Sequence, residues 1–257
     1  MRGPGVRVTQ SAPFLGTFSG AFFFAIALRR PIMKSCFLSV LTAPVFVCLF
    51  LVILFILSLT INSSDPAIFF STSGFCETIT YTGYVLALCT ALYYHRDFRQ
   101  NKKDYLFFLI LWGCALLREM GIQHYLTTTD TTAFKLRFFT NPNNPIHEKI
   151  ISAFLLISVG YIVLYLLIKY TPKIIRGFFD LKPIYWTICT FGTIGIVSKF
   201  ADRFPSNYHK STGLILNSDT ALIISLIEEG GEATLPLLFA LTLIQYHYLR
   251  KKHSFIK

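Results

Sequence analysis

Long runs of apolar residues, each about the length of a bilayer crossing, alternate with short polar segments along most of this chain. A transmembrane helix needs roughly 20 consecutive, predominantly apolar residues. A single apolar run must also satisfy its own backbone hydrogen bonds in lipid, so each run predicts an α-helix rather than a strand. The pattern therefore predicts an all-α polytopic membrane protein, a six-helix transmembrane bundle. Its spans are predicted at about 36–61, 76–94, 105–126, 149–169, 183–200 and 220–248.

A seventh apolar stretch, residues 13–28, is too short to cross a bilayer by itself. It is followed by two arginines and a proline, and Met33 opens the next apolar run as a second natural start. We interpret residues 1–32 as an N-terminal extension, either a cleaved leader or an interfacial segment. The remaining residues, 33–257, are predicted to form a single transmembrane helical domain.

Composition supports a membrane protein and excludes an ordinary soluble domain. The 257 residues are 53% hydrophobic and only 14% charged, with a mean hydropathy of +0.55, whereas about 25% of an average soluble domain is charged. The net charge of +11 comes from bases in the short loops, so orientation in the lipid bilayer explains it better than binding of nucleic acid. Fifteen Lys and Arg flank the spans on one side and six on the other. The positive-inside rule therefore predicts that both termini are cytoplasmic.

The six cysteines predict neither a disulfide framework nor a zinc site. Nearly all of them lie within the apolar spans, and no pair has CxxC spacing. We therefore interpret them as small buried apolar residues.

The sixth span contains the segment LIEEGGEATLPLLF, residues 226–239, in which three glutamates interrupt an apolar run. A charged side chain near the bilayer centre costs roughly 2.5–3.5 kcal/mol on insertion scales, so such a side chain must face the bundle interior or a wet cavity. Glu228, Glu229 and Glu232 are spaced by three and four residues and therefore share one helix face. We expect Gly230 and Gly231 to permit close approach of a neighbouring helix, and Pro236 to kink the helix.

Charged residues of other spans fall at a similar depth, toward the outward side of the predicted bundle. Five carboxylates and two bases share this layer, so three carboxylates are in surplus and should bind protons or a cation. We expect Arg118 and Glu119 to pair across helices, because adjacent helix residues point in different directions. Besides the three glutamates, the layer contains Glu77, Arg118, Glu119 and Lys199, with His124 near its boundary.

Three interpretations of this acidic layer remain open. In the first, it is a divalent metal or hydrolytic site, with Glu228, Glu232 and His124 as metal ligands and with His147 or His209 as further candidates. In the second, it is an ion- or proton-coupling site. In the third, it is an interhelical salt-bridge network that only fixes packing. No HExxH pattern supports the metal interpretation.

Two outer segments carry further candidate chemistry. FKLRFF, residues 134–139, places Lys135 and Arg137 among aromatic residues, as in a binding site for a lipid phosphate or as in an interfacial anchor. SKFADR, residues 198–203, contains adjacent Ser and Lys, but adjacent residues do not face each other on a helix. We expect an ion pair between Lys199 and Asp202 instead of nucleophilic catalysis. The outer segments 127–148 and 201–219 are both expected to be long loops.

The ordered motifs LREMGIQH, FKLRFF, HEKIISA, SKFADR and EEGGE resemble those of a group of small bacterial multi-pass inner-membrane proteins, over about residues 105–235. Proteins of this group often carry an acid where Gly121 stands here, so this chain departs from that pattern. The resemblance implies a bacterial inner-membrane location. It implies no activity and no catalytic role for any residue.

The favoured function is an envelope enzyme or binding protein that acts on a lipid-like or anionic substrate from the outer face. Glu119, His124, Glu228, Glu229 and Glu232 would bind a cation or act as acid and base. The alternatives are a small proton- or cation-coupled transporter and a structural protein without chemistry. The substrate would be held by the bases Arg118, Lys135, Arg137 and Lys199.

Overall fold

The computed structural model describes residues 39–61, 66–70, 74–121 and 136–254, and the predicted N-terminal extension 1–32 lies outside them. Within these residues the chain is helical and forms no strand. Short 3₁₀ helices cover Pro66–Phe70 and His95–Asn101, and a π-helical turn covers Leu226–Gly230. The α-helices are α1 (Thr42–Ile61), α2 (Phe75–Tyr93), α3 (Lys102–Glu119), α4 (Leu136–Thr140), α5 (Ile146–Phe179), α6 (Pro183–Thr212), α7 (Ser218–Ser225) and α8 (Gly231–Ser254).

Four of the described helices, α1, α2, α5 and α6, are long and apolar enough to cross a membrane. This confirms the prediction of a helical membrane protein, whereas the full count of six spans stays a prediction. The third and sixth predicted spans differ from these four in their polar content. Helix α3 has charged residues in both its first and last turns, and the second half of α8 includes a glutamine, a histidine and two tyrosines.

Several helix ends lie elsewhere than the sequence predicts. Helix α3 ends at Glu119 rather than near residue 126, because Gly121 adopts a left-handed conformation (φ 70°) that terminates helices. The prediction of a long outer loop over 201–219 is wrong, since α6 continues as far as Thr212. Helix α5 extends about ten residues beyond its predicted span. Both extensions contain an internal proline, which the helices tolerate.

Helix α8 is central to the packing and contacts α1, α2 and α6. Its Pro236 is fully buried, and a β-carbon placed on Gly83 of α2 would lie only 2.8 Å from the Pro236 Cγ. A β-carbon on Gly230 would lie 3.0 Å from Leu51 of α1, and one on Gly231 would lie 3.4 Å from Ser198 of α6. The expected close approach at the two glycines is therefore confirmed. Small residues let three helices meet α8 at short range.

The end of the bundle opposite the glutamates contains polar contacts that the sequence did not predict. The buried Asp104 carboxylate of α3 accepts hydrogen bonds from Lys169 Nζ (2.7 Å), Tyr170 (2.5 Å) and Tyr165 (3.1 Å) of α5. Burial alone raises the pKa of the Asp104 carboxyl, but these hydrogen bonds and the Lys169 charge outweigh it and hold the pKa below its ordinary value. This cluster ties the start of α3 to α5.

Two further contacts join α8 to its neighbours at the same end. The buried Thr187 hydroxyl of α6 donates to the side-chain carbonyl of Gln245 at 2.8 Å. His247 pairs through Nδ1 with the Asp97 carboxylate and is only partly exposed. This contact forms because the 3₁₀ helix after α2 brings Asp97 against α8.

Aromatic packing fills the middle of the bundle. The Trp112 ring of α3 stacks on Phe239 of α8 with centroids 4.1 Å apart, and it also contacts Tyr84 of α2 at 5.0 Å. The five described cysteines are all free, as expected, but Cys76 alone among them is buried. Cys48 and Cys89 are exposed instead, since they lie on the outer surfaces of their helices.

Candidate functional site

The site is built around the π-helical turn Leu226–Gly230, which contains Glu228 and Glu229. A π turn inserts one extra residue into a helix and therefore rotates the side chains on either side of it relative to a regular α-helix. Its last residue, Gly230, is buried against α1, while both glutamates are partly exposed. The turn thus brings two adjacent carboxylates to the edge of the bundle interior. Such turns occur frequently at functional sites.

The Ser198 hydroxyl of α6 supports this turn. It is buried and donates a hydrogen bond of 2.8 Å to the backbone carbonyl of Glu228. A π turn disturbs the regular pattern of backbone hydrogen bonds, so an added donor at this carbonyl stabilises the turn. Ser198 therefore anchors the turn to α6.

Lys199 of α6 connects the next carboxylate to the same helix. Its Nζ lies 2.6 Å from Oε1 of Glu232 and 3.6 Å from Asp202. The expected local pair with Asp202 is confirmed, but the shorter contact crosses to α8. The Glu232 side chain is 18% exposed and the Lys199 side chain 46%, so the ion pair is shielded from solvent on the carboxylate side.

Tyr81 connects the carboxylates of α2 and α3. Its hydroxyl lies 2.6 Å from Oε1 of Glu77 and 2.8 Å from the backbone carbonyl of Glu119. Both of these oxygens are acceptors, whereas a phenol has a single proton to donate. Tyr81 therefore shares its single proton between these two acceptors and links the start of α2 to the end of α3.

The carboxylates of four helical segments act on one another electrostatically. Glu229 interacts with Glu228 of the same π turn, with Glu232 of α8, and also with Glu77 and Glu119. Glu119 in turn interacts with Lys199. In the described part of the chain, no basic side chain lies within ion-pair distance of Glu229. The structure thus brings the glutamates of the predicted layer together, with excess negative charge.

The predicted basic residues contribute unequally. Arg118 is exposed, and no described carboxylate lies within ion-pair distance of it, so the expected cross-helix pair is not present among the described residues. Arg118 is nevertheless close enough to act electrostatically on Glu119 and Lys199. His124 and Lys135 lie outside the described residues. Arg137 belongs to the short helix α4, and its side chain is not described.

The described residues do not assemble a metal site by themselves. Among them, no group of three His, Cys, Asp or Glu side chains is arranged to hold a metal ion. Glu232, one of the predicted ligands, is engaged by Lys199 at 2.6 Å. The candidates His147 and His209 are exposed and lie in α5 and α6 rather than in loops.

Sequence reasoning overlooked two side chains of this site, Tyr81 and Ser198. Tyr81 stands four residues after Glu77, which is the spacing of neighbours on a helix face. Its contact with Glu77 could therefore have been predicted from the sequence. Its contact with Glu119 spans two helices and depends on their packing. Ser198 gives no local signal, because its acceptor is thirty residues away.

No family model matches this chain, and comparison with curated proteins and with solved structures finds no similar protein. The resemblance to small bacterial inner-membrane proteins therefore stays an expectation.

Proposed function

We propose that this chain is a multi-pass bacterial inner-membrane protein with both termini in the cytoplasm and with the glutamate layer facing outward. Its acidic pocket binds a cation and, through that cation, an anionic or lipid-like substrate of the cell envelope. The asymmetry of the basic loops supports this orientation. Such an orientation places the polar contacts around Asp104 and His247 on the cytoplasmic side.

The observation that carries the proposal is the environment of Glu229. Four other glutamates act on it, and no described base pairs with it. Carboxylates at this depth are stable only when protons, bases or bound cations compensate their charge. Lys199 already compensates Glu232. A bound cation, whether a proton or a metal ion, is the simplest partner for the remaining carboxylates.

The chemical roles follow from these positions. Glu229 binds the cation, and the neighbouring glutamates add negative charge around it. Arg118, which is exposed at the same end, attracts the anionic part of the substrate. A divalent ion would require further ligands, for which His124 is the candidate.

Cation binding by the purified protein tests this proposal. We expect divalent cations to raise the Tm of the detergent-solubilised protein, or acidification to do so where the cation is a proton. Glu229→Gln should abolish the increase. Asp219→Asn, an exposed acid at the start of α7, is the matched control and should retain it. A Tm that responds equally in the wild type and in Glu229→Gln contradicts the proposal.

A structural salt-bridge network is the second candidate, and the Lys199–Glu232 contact favours it because it joins α6 to α8. In that case Glu229→Gln would remove an unpaired charge and raise the Tm without any cation. The two candidates thus predict different behaviour of the same variant.

A further inference from the structure

The connection between α5 and α6 forms a basic cavity at the end of the bundle opposite the glutamates. The cavity has a volume of about 200 Å³. This is smaller than the roughly 300–1,000 Å³ of pockets for drug-sized ligands, so it suits a group the size of a phosphodiester. Its lining consists of Pro172, Lys173, Arg176, Gly177, Lys182 and Tyr185.

The charge of this cavity is positive and only partly compensated. Lys182 pairs with the exposed Asp180 at 2.9 Å. Lys173 lies 5.5 Å from the centroid of the Tyr170 ring, and among the described residues neither Lys173 nor Arg176 has a carboxylate within ion-pair distance. Two uncompensated bases therefore face a single small cavity, which is the arrangement that recognises phosphate.

The cavity is held in shape by the turn beneath it. The buried Gly177 lies directly under the Tyr185 ring, where a β-carbon would be only 1.9 Å from the ring. The Lys182 amide donates to the Gly177 carbonyl at 3.0 Å. Trp186 stacks on Phe178 with centroids 4.4 Å apart and donates to its carbonyl. Binding of a ligand would therefore require little ordering of the backbone.

The surroundings of the cavity indicate that its ligand is a lipid rather than a soluble ion. Both helices that form it are long and apolar enough to cross a membrane, and the cavity lies at their shared end. Three apolar residues that are close in sequence to its lining residues, Ile175, Phe179 and Leu181, have side chains that are more than half exposed. Tyrosine and tryptophan beside the cavity are typical of the level of the lipid headgroups.

We propose that this cavity binds the phosphate group of an anionic phospholipid, with Lys173 and Arg176 as the principal ligands. The apolar side chains around the rim contact the acyl chains. Basic pockets between membrane helices are a recurrent form of lipid recognition. The site is separate from the acidic pocket, and its function does not depend on the cation-binding proposal.

Fluorescence of Trp186 provides the test. The chain has two tryptophans, so Trp112→Phe leaves Trp186 as the single reporter. The full chain is reconstituted in phosphatidylcholine vesicles that contain either brominated phosphatidylglycerol or brominated phosphatidylcholine at equal mole fraction. We expect stronger quenching by the anionic lipid. Lys173→Gln and Arg176→Gln should each reduce the relative association constant about fivefold.

Lys102→Gln is the matched control, since Lys102 is an exposed lysine at the same end of the bundle, and it should retain the preference. Equal quenching by the two lipids, or an unchanged preference in the Lys173→Gln/Arg176→Gln double variant, overturns the proposal. If inorganic phosphate abolishes the preference for the anionic lipid, and chloride at the same ionic strength does not, the site belongs to a soluble anion instead. Native mass spectrometry of the wild-type protein, which keeps both tryptophans, compares binding of the same two lipids without the Trp112→Phe substitution.

Discussion

Lys199 of α6 and Glu232 of α8 are joined by an ion pair of 2.6 Å, next to a serine that binds the π turn. Because Glu232 is largely shielded, removal of either charge leaves the other without its partner. In a double-mutant cycle of Lys199→Gln and Glu232→Gln, we expect each single variant to lower stability and the coupling to be about 1 kcal/mol. Thermal or denaturant unfolding in detergent measures it. Lys210→Gln, which changes an exposed lysine later in α6, is the control and should have no measurable effect on stability. A coupling of zero in the cycle would contradict a structural role of the Lys199–Glu232 pair.

Gly83 of α2 faces the Pro236 ring of α8 at a distance that leaves no space for a methyl group. Gly83→Ala should therefore destabilise the protein by about 1–3 kcal/mol through overpacking. Gly113→Ala in α3 is the matched control, because no side chain and no other helix lies within 4 Å of the added carbon. That control should be neutral or slightly stabilising, since alanine favours helix by up to about 1 kcal/mol. Equal Tm values for the two variants would show that Gly83 of α2 does not pack against Pro236 of α8.

Ser198→Ala removes the hydroxyl that donates to the Glu228 carbonyl. We expect a loss of about 1 kcal/mol, which is typical of one hydrogen bond, together with faster amide hydrogen exchange in residues 226–232. Ser211→Ala, an exposed position on the same helix, should change neither quantity. Unchanged exchange in the Ser198 variant would mean that the π turn is maintained without this contact.

Asp104 is expected to make stability depend on pH. Its folded-state pKa lies below the ordinary value. The ionised carboxylate therefore stabilises the folded state fully at every pH above the ordinary, unfolded-state pKa. This stabilisation is lost as the pH falls through the folded-state pKa. Asp104→Asn should therefore cost about 2 kcal/mol at neutral pH, and the difference from the wild type should shrink below about pH 4. Unfolding curves across pH 3–8 check this expectation.

Asp180→Asn serves as the comparison for Asp104→Asn. Its carboxylate is exposed and paired with Lys182, so the substitution should cost almost nothing at any pH. A pH profile of Asp104→Asn parallel to that of the wild type would contradict the contribution of the buried cluster.

The sequence allowed the class of fold and the location of the acidic segment to be predicted, because both depend on composition and on local spacing. Apolar runs of bilayer length can only be helices in lipid. The glutamates at 228, 229 and 232 are conspicuous in such a run and must avoid lipid. The small residues between them predicted close helix packing, and the contacts of Gly230 and Gly231 agree with it.

Other features depend on tertiary contacts and could not be predicted. The π turn has no local sequence signature, and one of its supporting hydrogen bonds comes from another helix. Asp104 gives no signal in the sequence, because its partners Tyr165, Lys169 and Tyr170 lie more than sixty residues away on α5. Pro172 and Pro205 lie outside the predicted spans, but each lies inside a helix. Packing energy outweighs the local cost of a proline in these helices.

The length of α5 has a mechanical consequence. Its 34 residues would extend roughly 50 Å, whereas the hydrocarbon core of a bilayer is about 30 Å thick. Pro172 cannot donate a hydrogen bond to the carbonyl one turn before it, so the final turns of α5 are less firmly coupled to the rest of the helix. Hydrophobic mismatch with thinner or thicker membranes would therefore be accommodated by bending at this proline, while the remainder of the bundle keeps its tilt.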